Sequence, residues 1–138
     1  MSEISQLNND DGCFACGKSN PIGLHLEFEQ EDGEYVTYFT PAKEHQGWLG
    51  ITHGGIVCTV LDEVMARAVC ELGYDAVTAE MTVRMKRPAP TGARLRFAGQ
   101  IVSENHRIID CSACATDEDG QVIAEATGRM MRVKSGNR

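Results

Sequence analysis

From Ile22 onward, apolar and polar residues alternate in short stretches set apart by turn signals, with one long exception in the middle of the chain. Leu24, Leu26 and Phe28 alternate with His25, Glu27 and Glu29, the period of two that marks a half-buried strand. Glu31-Asp32-Gly33 predicts a turn, and Tyr35 to Thr40, rich in aromatic and β-branched residues, predicts a second strand. Pro41 to Thr52 reads as a loop. Gly54 to Leu72 is the one long stretch suited to a helix, and Gly73 ends it. In Val77 to Lys86, the residues Val77, Ala79, Met81, Val83 and Met85 alternate strictly with Thr78, Glu80, Thr82, Arg84 and Lys86. Arg94 to Val102 and Arg107 to Thr116 alternate more loosely around a turn at Ser103 to His106. Asp117-Glu118-Asp119-Gly120 signals a hairpin leading into a last strand, Gln121 to Val133. Two strands, a helix and four strands predict an α+β fold, one long helix wrapped by an antiparallel sheet of five to six strands.

No repeat, low-complexity segment or linker interrupts this order, so residues 13–134 are expected to form a single domain between a polar tail, 1–12, and a short tail, 135–138. Met1 to Gly12 has neither a basic nor an apolar region of the secretory kind, and no apolar run approaches the ~20 residues of a membrane span. The expectation is a cytoplasmic protein. A net charge of -7 argues against nucleic acid and anionic membrane as partners. Two cysteine pairs have C-x-x-C spacing, Cys13/Cys16 and Cys111/Cys114, which raises the question of a four-thiolate zinc site. Cys111 and Cys114 fall on a predicted strand, where residues three apart face opposite ways. Cys13 and Cys16 are then left without a second pair, and the expectation is free thiols, no metal and no cofactor.

The helix carries the first chemical signal. Thr59, Glu63, Arg67 and Glu71 recur every fourth position as one polar stripe, with Glu63 and Arg67 spaced for an ion pair. Asp62 projects away from that stripe, among Gly55, Cys58, Met65, Ala66 and Val69. Burying an unpaired carboxylate is costly, so such a group is either satisfied by a distant partner or kept for chemistry. His53-Gly54-Gly55 stands just before, where glycines admit close approach to unpaired N–H groups at the positive end of the helix dipole. That is a place for a carbonyl oxygen that becomes an oxyanion.

The segment His45-Gln46-Gly47-Trp48-Leu49-Gly50-Ile51-Thr52-His53-Gly54-Gly55, followed by Leu61-Asp62-Glu63, resembles the PaaI-like branch of the hotdog-fold acyl-CoA thioesterases. The resemblance runs from Cys13 to Val133. It implies a hotdog fold, two subunits whose sheets join edge to edge as a homodimer or a dimer of dimers, and active sites at the subunit interface. It also implies that Asp62 is base or nucleophile, that the Gly54 N–H polarises the thioester carbonyl, and that His53 and Gly55 line the substrate. Some relatives carry a hydroxyl on the following strand that positions water, and Thr78 falls there, counting back from Pro88. Where some relatives have an asparagine before the motif, this chain has Gly47 with Gln46 adjacent, and where some have a hydroxyl one turn after the carboxylate it has Ala66. Arg84, Lys86, Arg87, Arg94, Arg96 and Arg107 are candidates for the CoA phosphates, Arg87 and Arg107 foremost. The rival readings are an acyl-CoA-binding module without catalysis and a hotdog dehydratase, whose own motif is not seen here.

Overall fold

Small side chains on the inner face of the central strands decide how closely the helix can lie on the sheet. The computed structural model describes residues 7–133. It contains β1 (Glu29–Glu31), β2 (Glu34–Phe39), α1 (Gly54–Cys70), β3 (Ala76–Met85), β4 (Leu95–Glu104), β5 (Ile108–Thr116) and β6 (Val122–Arg132), with a 3-10 turn over Lys43–His45. The strands form one six-stranded sheet in the order β1-β2-β4-β5-β6-β3, each neighbour antiparallel. Gly99, Ala113, Ala126 and Gly128 lie on paired inner positions of β4, β5 and β6. A Cβ at Gly99 would stand 2.6 Å from the Val64 carbonyl oxygen, and one at Gly128 would stand 2.9 Å from Cε of Met65. α1 buries Val57, Val60, Leu61, Val64, Met65, Ala68 and Val69 against this surface. At ~1.5–3 kcal/mol for each fully buried large side chain, that face is what holds the helix down. Among the described residues, no helix is long and apolar enough to cross a membrane.

The predicted order of two strands, a helix and four strands is the observed one, and this is the hotdog arrangement of one long helix on an antiparallel sheet. Asp32 and Gly33 both take positive φ, 52° and 82°, in the tight turn between β1 and β2. Cys111 is buried under the helix and Cys114 faces away from it, as the strand alternation requires.

Three expectations are corrected. The first strand does not begin near Leu24: the N–H groups of Leu24 and Leu26 donate to the carbonyls of Phe14 and Ala15, and the ladder starts at Glu29. His25, with φ 54°, breaks the extended path. The alternation of β3 is not strict, because a bulge at Ala79 lets Thr78 pair with Met130 and Glu80 with Arg129. Glu63 does not pair with Arg67, whose guanidinium lies over the Phe28 ring at 4.7 Å. With Phe28 packed there, Thr59, Glu63 and Arg67 of the polar stripe are half-buried rather than solvated, and Glu71 at its end is exposed.

Candidate active site

The helix N-terminus is clamped between two loops before any ligand is considered. The His53 N–H donates to the His45 carbonyl at 2.8 Å, and the Thr52 N–H to the Ala89 carbonyl at 2.7 Å. Thr91 and Gly92 donate back to Gly50 and Pro41. This second loop, residues 88–92, lies far from the His-Gly-Gly motif in the sequence, and no local pattern links the two. His53 is the N-cap of α1, and its Nδ1 accepts the Gly55 N–H at 2.9 Å. An Nδ1 that accepts puts the imidazole proton on Nε2, leaving that nitrogen as a donor. A Cβ at Gly55 would come within 3.1 Å of His53 Nδ1, so glycine there keeps room for the cap.

The Gly54 N–H has no acceptor among the described residues, whereas that of Gly55 is taken by His53. The first amide of the helix is therefore an unpaired donor at the positive end of the dipole. In the loop that leads into the helix, Trp48 and Leu49 are 82% and 86% exposed, an apolar pair that alternation along the chain did not single out. Gln46 turns into its own loop, where its Oε1 accepts the Gly50 N–H at 3.4 Å.

Asp62 lies two turns along the helix, half-buried, on the flank that meets β3. The Thr78 hydroxyl donates to its Oδ1 at 2.6 Å. Met130 lies under the same hydroxyl, with Sδ 3.3 Å away. At the other end of β3, Cε of Met85 lies 3.6 Å from where a Gly54 Cβ would stand. α1 thus runs antiparallel to β3, with Asp62 at the Thr78 end and Gly54 at the Met85 end. Ala66, one turn after Asp62, is half-buried and brings no hydroxyl.

The cationic candidates divide. Lys86 pairs with Glu125 at 2.9 Å, Arg96 with Glu31 at 3.2 Å, and Arg94 lies 3.9 Å over the Tyr38 ring. The side chains of Arg84, Arg87 and Arg107 make no ion pair among the described residues. Arg87 and Arg107 are exposed at opposite ends of the sheet.

The sequence profile of the thioesterase superfamily matches residues 49–124, more than half of the chain. Acyl-coenzyme A thioesterase THEM4 of Xenopus laevis is 23% identical over 107 residues, which cover 77% of this chain and 48% of that protein. The chain therefore spans about half the length of this curated relative. A crystal structure described as a thioesterase superfamily protein is similar at TM-score 0.82 and 27% identity, over 88% of this chain and 60% of that one. The Escherichia coli PaaI protein of the phenylacetic acid degradation operon is similar at TM-score 0.75 and 20% identity, over 80% of each chain. A hypothetical thioesterase of Streptococcus pneumoniae TIGR4, solved with coenzyme A, is similar at TM-score 0.73 and 23% identity, over 78% of this chain and 84% of that one.

Proposed function

Because the chain belongs to the thioesterase superfamily, we propose that it hydrolyses the thioester of an acyl-CoA to a free acid and CoA, with Asp62 as the catalytic carboxylate and the Gly54 N–H polarising the carbonyl. The observation that carries this reading is the 2.6 Å hydrogen bond from Thr78 to Asp62. A hydroxyl that donates to a carboxylate keeps its lone pairs for a water, which then lies beside the free carboxylate oxygen. That favours the general-base route: Asp62 takes a proton from the water as its oxygen adds to the thioester carbon. Negative charge then gathers on the carbonyl oxygen at the Gly54 amide, where a fixed dipole stabilises it without reorganisation. Collapse of the tetrahedral intermediate expels the CoA thiolate, which takes the proton held by Asp62 and restores the carboxylate. His53, whose Nε2 is left as a donor, and the exposed Trp48 and Leu49 of the preceding loop serve to orient the substrate.

One chain cannot hold both halves of this site. Gly54 and Asp62 are eight residues apart on one helix, about 12 Å at the helical rise. A reacting carbonyl needs both within about 3–3.5 Å. β3 supports the solution: it is a ten-residue edge strand paired on one side only, with Val77 and Met85 exposed. Such an edge is a template for another chain. Antiparallel pairing of two β3 strands, centred between Met81 and Thr82, sets Thr78 of one copy opposite Met85 of a second copy. The donor end of one helix then reaches the carboxylate of the other, in a homodimer or a dimer of dimers. The same pairing brings the Arg87 end of one sheet to the Arg107 end of its neighbour, where both can meet the CoA phosphates. A cytoplasmic location fits a CoA thioester substrate and the free cysteines.

Incubation with a panel of acyl-CoAs and a thiol reagent tests the reading. Release of CoA thiol supports it, and saturable acyl-CoA binding without thiol release leaves a binding module instead. Single turnover in H2(18)O, with a rapid quench to look for an acyl-Asp62 anhydride, then separates the routes: general-base attack places the label in the product acid with no anhydride, and a trapped anhydride or label on Asp62 marks nucleophilic attack.

A further inference from the structure

Cys13, Cys16 and Glu63 converge although 50 residues separate the first from the last. Their two sulfurs and a carboxylate oxygen all lie within 4.8 Å of one another. The Cys13 thiol donates to Oε2 of Glu63 at 3.9 Å. The convergence is built rather than incidental. The Gly17 N–H donates to the Cys13 carbonyl at 2.8 Å and closes the turn between the cysteines. A Cβ on Gly17 would fall 2.4 Å from the Asp11 carbonyl oxygen, so only glycine fits there. Phe14 and Ala15, between the two cysteines, accept the N–H groups of Leu24 and Leu26, and buried Ala15 joins the core. Asp11 ties down the far side through the Lys18 N–H and the Ser19 hydroxyl.

Glu63 is half-buried there and takes part in none of the ion pairs among the described residues. Its expected partner, Arg67, is over Phe28. Two sulfurs and a carboxylate oxygen thus face one another, a donor set that a soft divalent cation takes.

We propose that Cys13, Cys16 and Glu63 form a binding site for a soft divalent cation, zinc above all, that fastens the N-terminal turn to the helix one residue beyond Asp62. Two thiolates and a carboxylate are zinc ligands, and solvent takes the fourth position. Ligand atoms about 2.3 Å from a zinc ion stand roughly 3.8 Å apart across a tetrahedral angle. The three atoms therefore need to close in by no more than about an ångström. Binding releases the two thiol protons to solvent, while Glu63 enters as the carboxylate. Cys13 is exposed and Cys16 borders a surface cavity of about 550 Å³, which gives the ion access. The expectation of no metal rested on counting thiolates along the sequence. The third ligand is a carboxylate whose approach no spacing foretold.

This inference stands apart from the thioesterase reading, because its test does not measure turnover. The full chain, stripped with a chelator and kept reduced with a phosphine, is titrated with Co2+ and then with Zn2+. The expected result is one Co2+ per chain with near-ultraviolet thiolate-to-metal absorption, displaced by one Zn2+. Cys13→Ser and Cys16→Ser should each weaken that band and raise the dissociation constant at least about tenfold. Glu63→Gln, which keeps the side chain's size, should raise the constant by a similar factor while the thiolate band remains. Cys70→Ser, an exposed helix cysteine outside the cluster, should bind as the parent does. A parent chain that takes up no Co2+ with thiolate absorption would overturn the proposal. So would Cys16→Ser and Glu63→Gln variants that bind as tightly as the parent.

Discussion

Thr78 donates its hydroxyl to Oδ1 of Asp62 across 2.6 Å, and it reaches that carboxylate because the bulge at Ala79 turns it onto the helix side of the sheet. Thr78→Val keeps the shape and removes the donor. Steady-state kinetics on an acyl-CoA should show kcat/KM lower by about tenfold or more, since a hydrogen bond to a charged group is worth about 1.5–3 kcal/mol. Thr78→Ser should retain most of the activity. Equal rates for Thr78→Val and the parent would remove Thr78 from the site.

Much of this arrangement was legible in the chain and some was not. The period-two stretches and the turns at Asp32-Gly33 and Gly120 marked the strands, because each depends on a local pattern. The helix wheel separated Asp62 from the polar stripe for the same reason. The bulge was not legible: strict alternation puts Thr78 with Glu80, and the extra residue follows from pairing with β6. The placement of Thr78 in the site came from the family resemblance, and the bulge is the physical reason it can serve there. The fates of Glu63 and Arg67 also depend on a distant segment, residues 13–28, and helical spacing alone carries no information about it.

Gly54→Pro removes the one amide hydrogen assigned to the carbonyl oxygen and little else. Proline is tolerated at the first helical position. His53, at φ -58° and ψ 133°, already has the extended conformation that a residue before proline adopts. The variant should fold with an unchanged circular dichroism spectrum, and turnover should fall about 10²–10³-fold. Undiminished hydrolysis would place the oxyanion elsewhere.

If each site takes Gly54 from one copy and Asp62 from another, two inactive variants should rescue each other. Gly54→Pro and Asp62→Asn chains, unfolded and refolded together, should recover about a quarter of the parent activity, the share of sites that random pairing leaves intact. Sedimentation should show a dimer or tetramer. A stable monomer, or no recovery on mixing, would contradict the shared site.

Gly99→Ala tests the packing that sets the helix against the sheet. The new methyl would lie 2.6 Å from the Val64 carbonyl oxygen, a backbone atom that cannot rotate away. Overpacking of this kind costs about 1–3 kcal/mol. Thermal unfolding should show Tm lower by roughly 5 °C. An unchanged Tm would mean that the helix lies further from β4 than the structure has it.

The most direct test of the account is the acyl-CoA turnover of Asp62→Asn, measured beside its binding of a non-hydrolysable acyl-CoA analogue. The substitution keeps the size of the side chain and removes its charge and basicity, and Glu71→Gln, on the exposed end of the same helix, serves as the control. The account predicts that kcat falls at least ~10²-fold in Asp62→Asn, that the analogue still binds, and that Glu71→Gln behaves as the parent. Hydrolysis by Asp62→Asn at the parent's rate would contradict it.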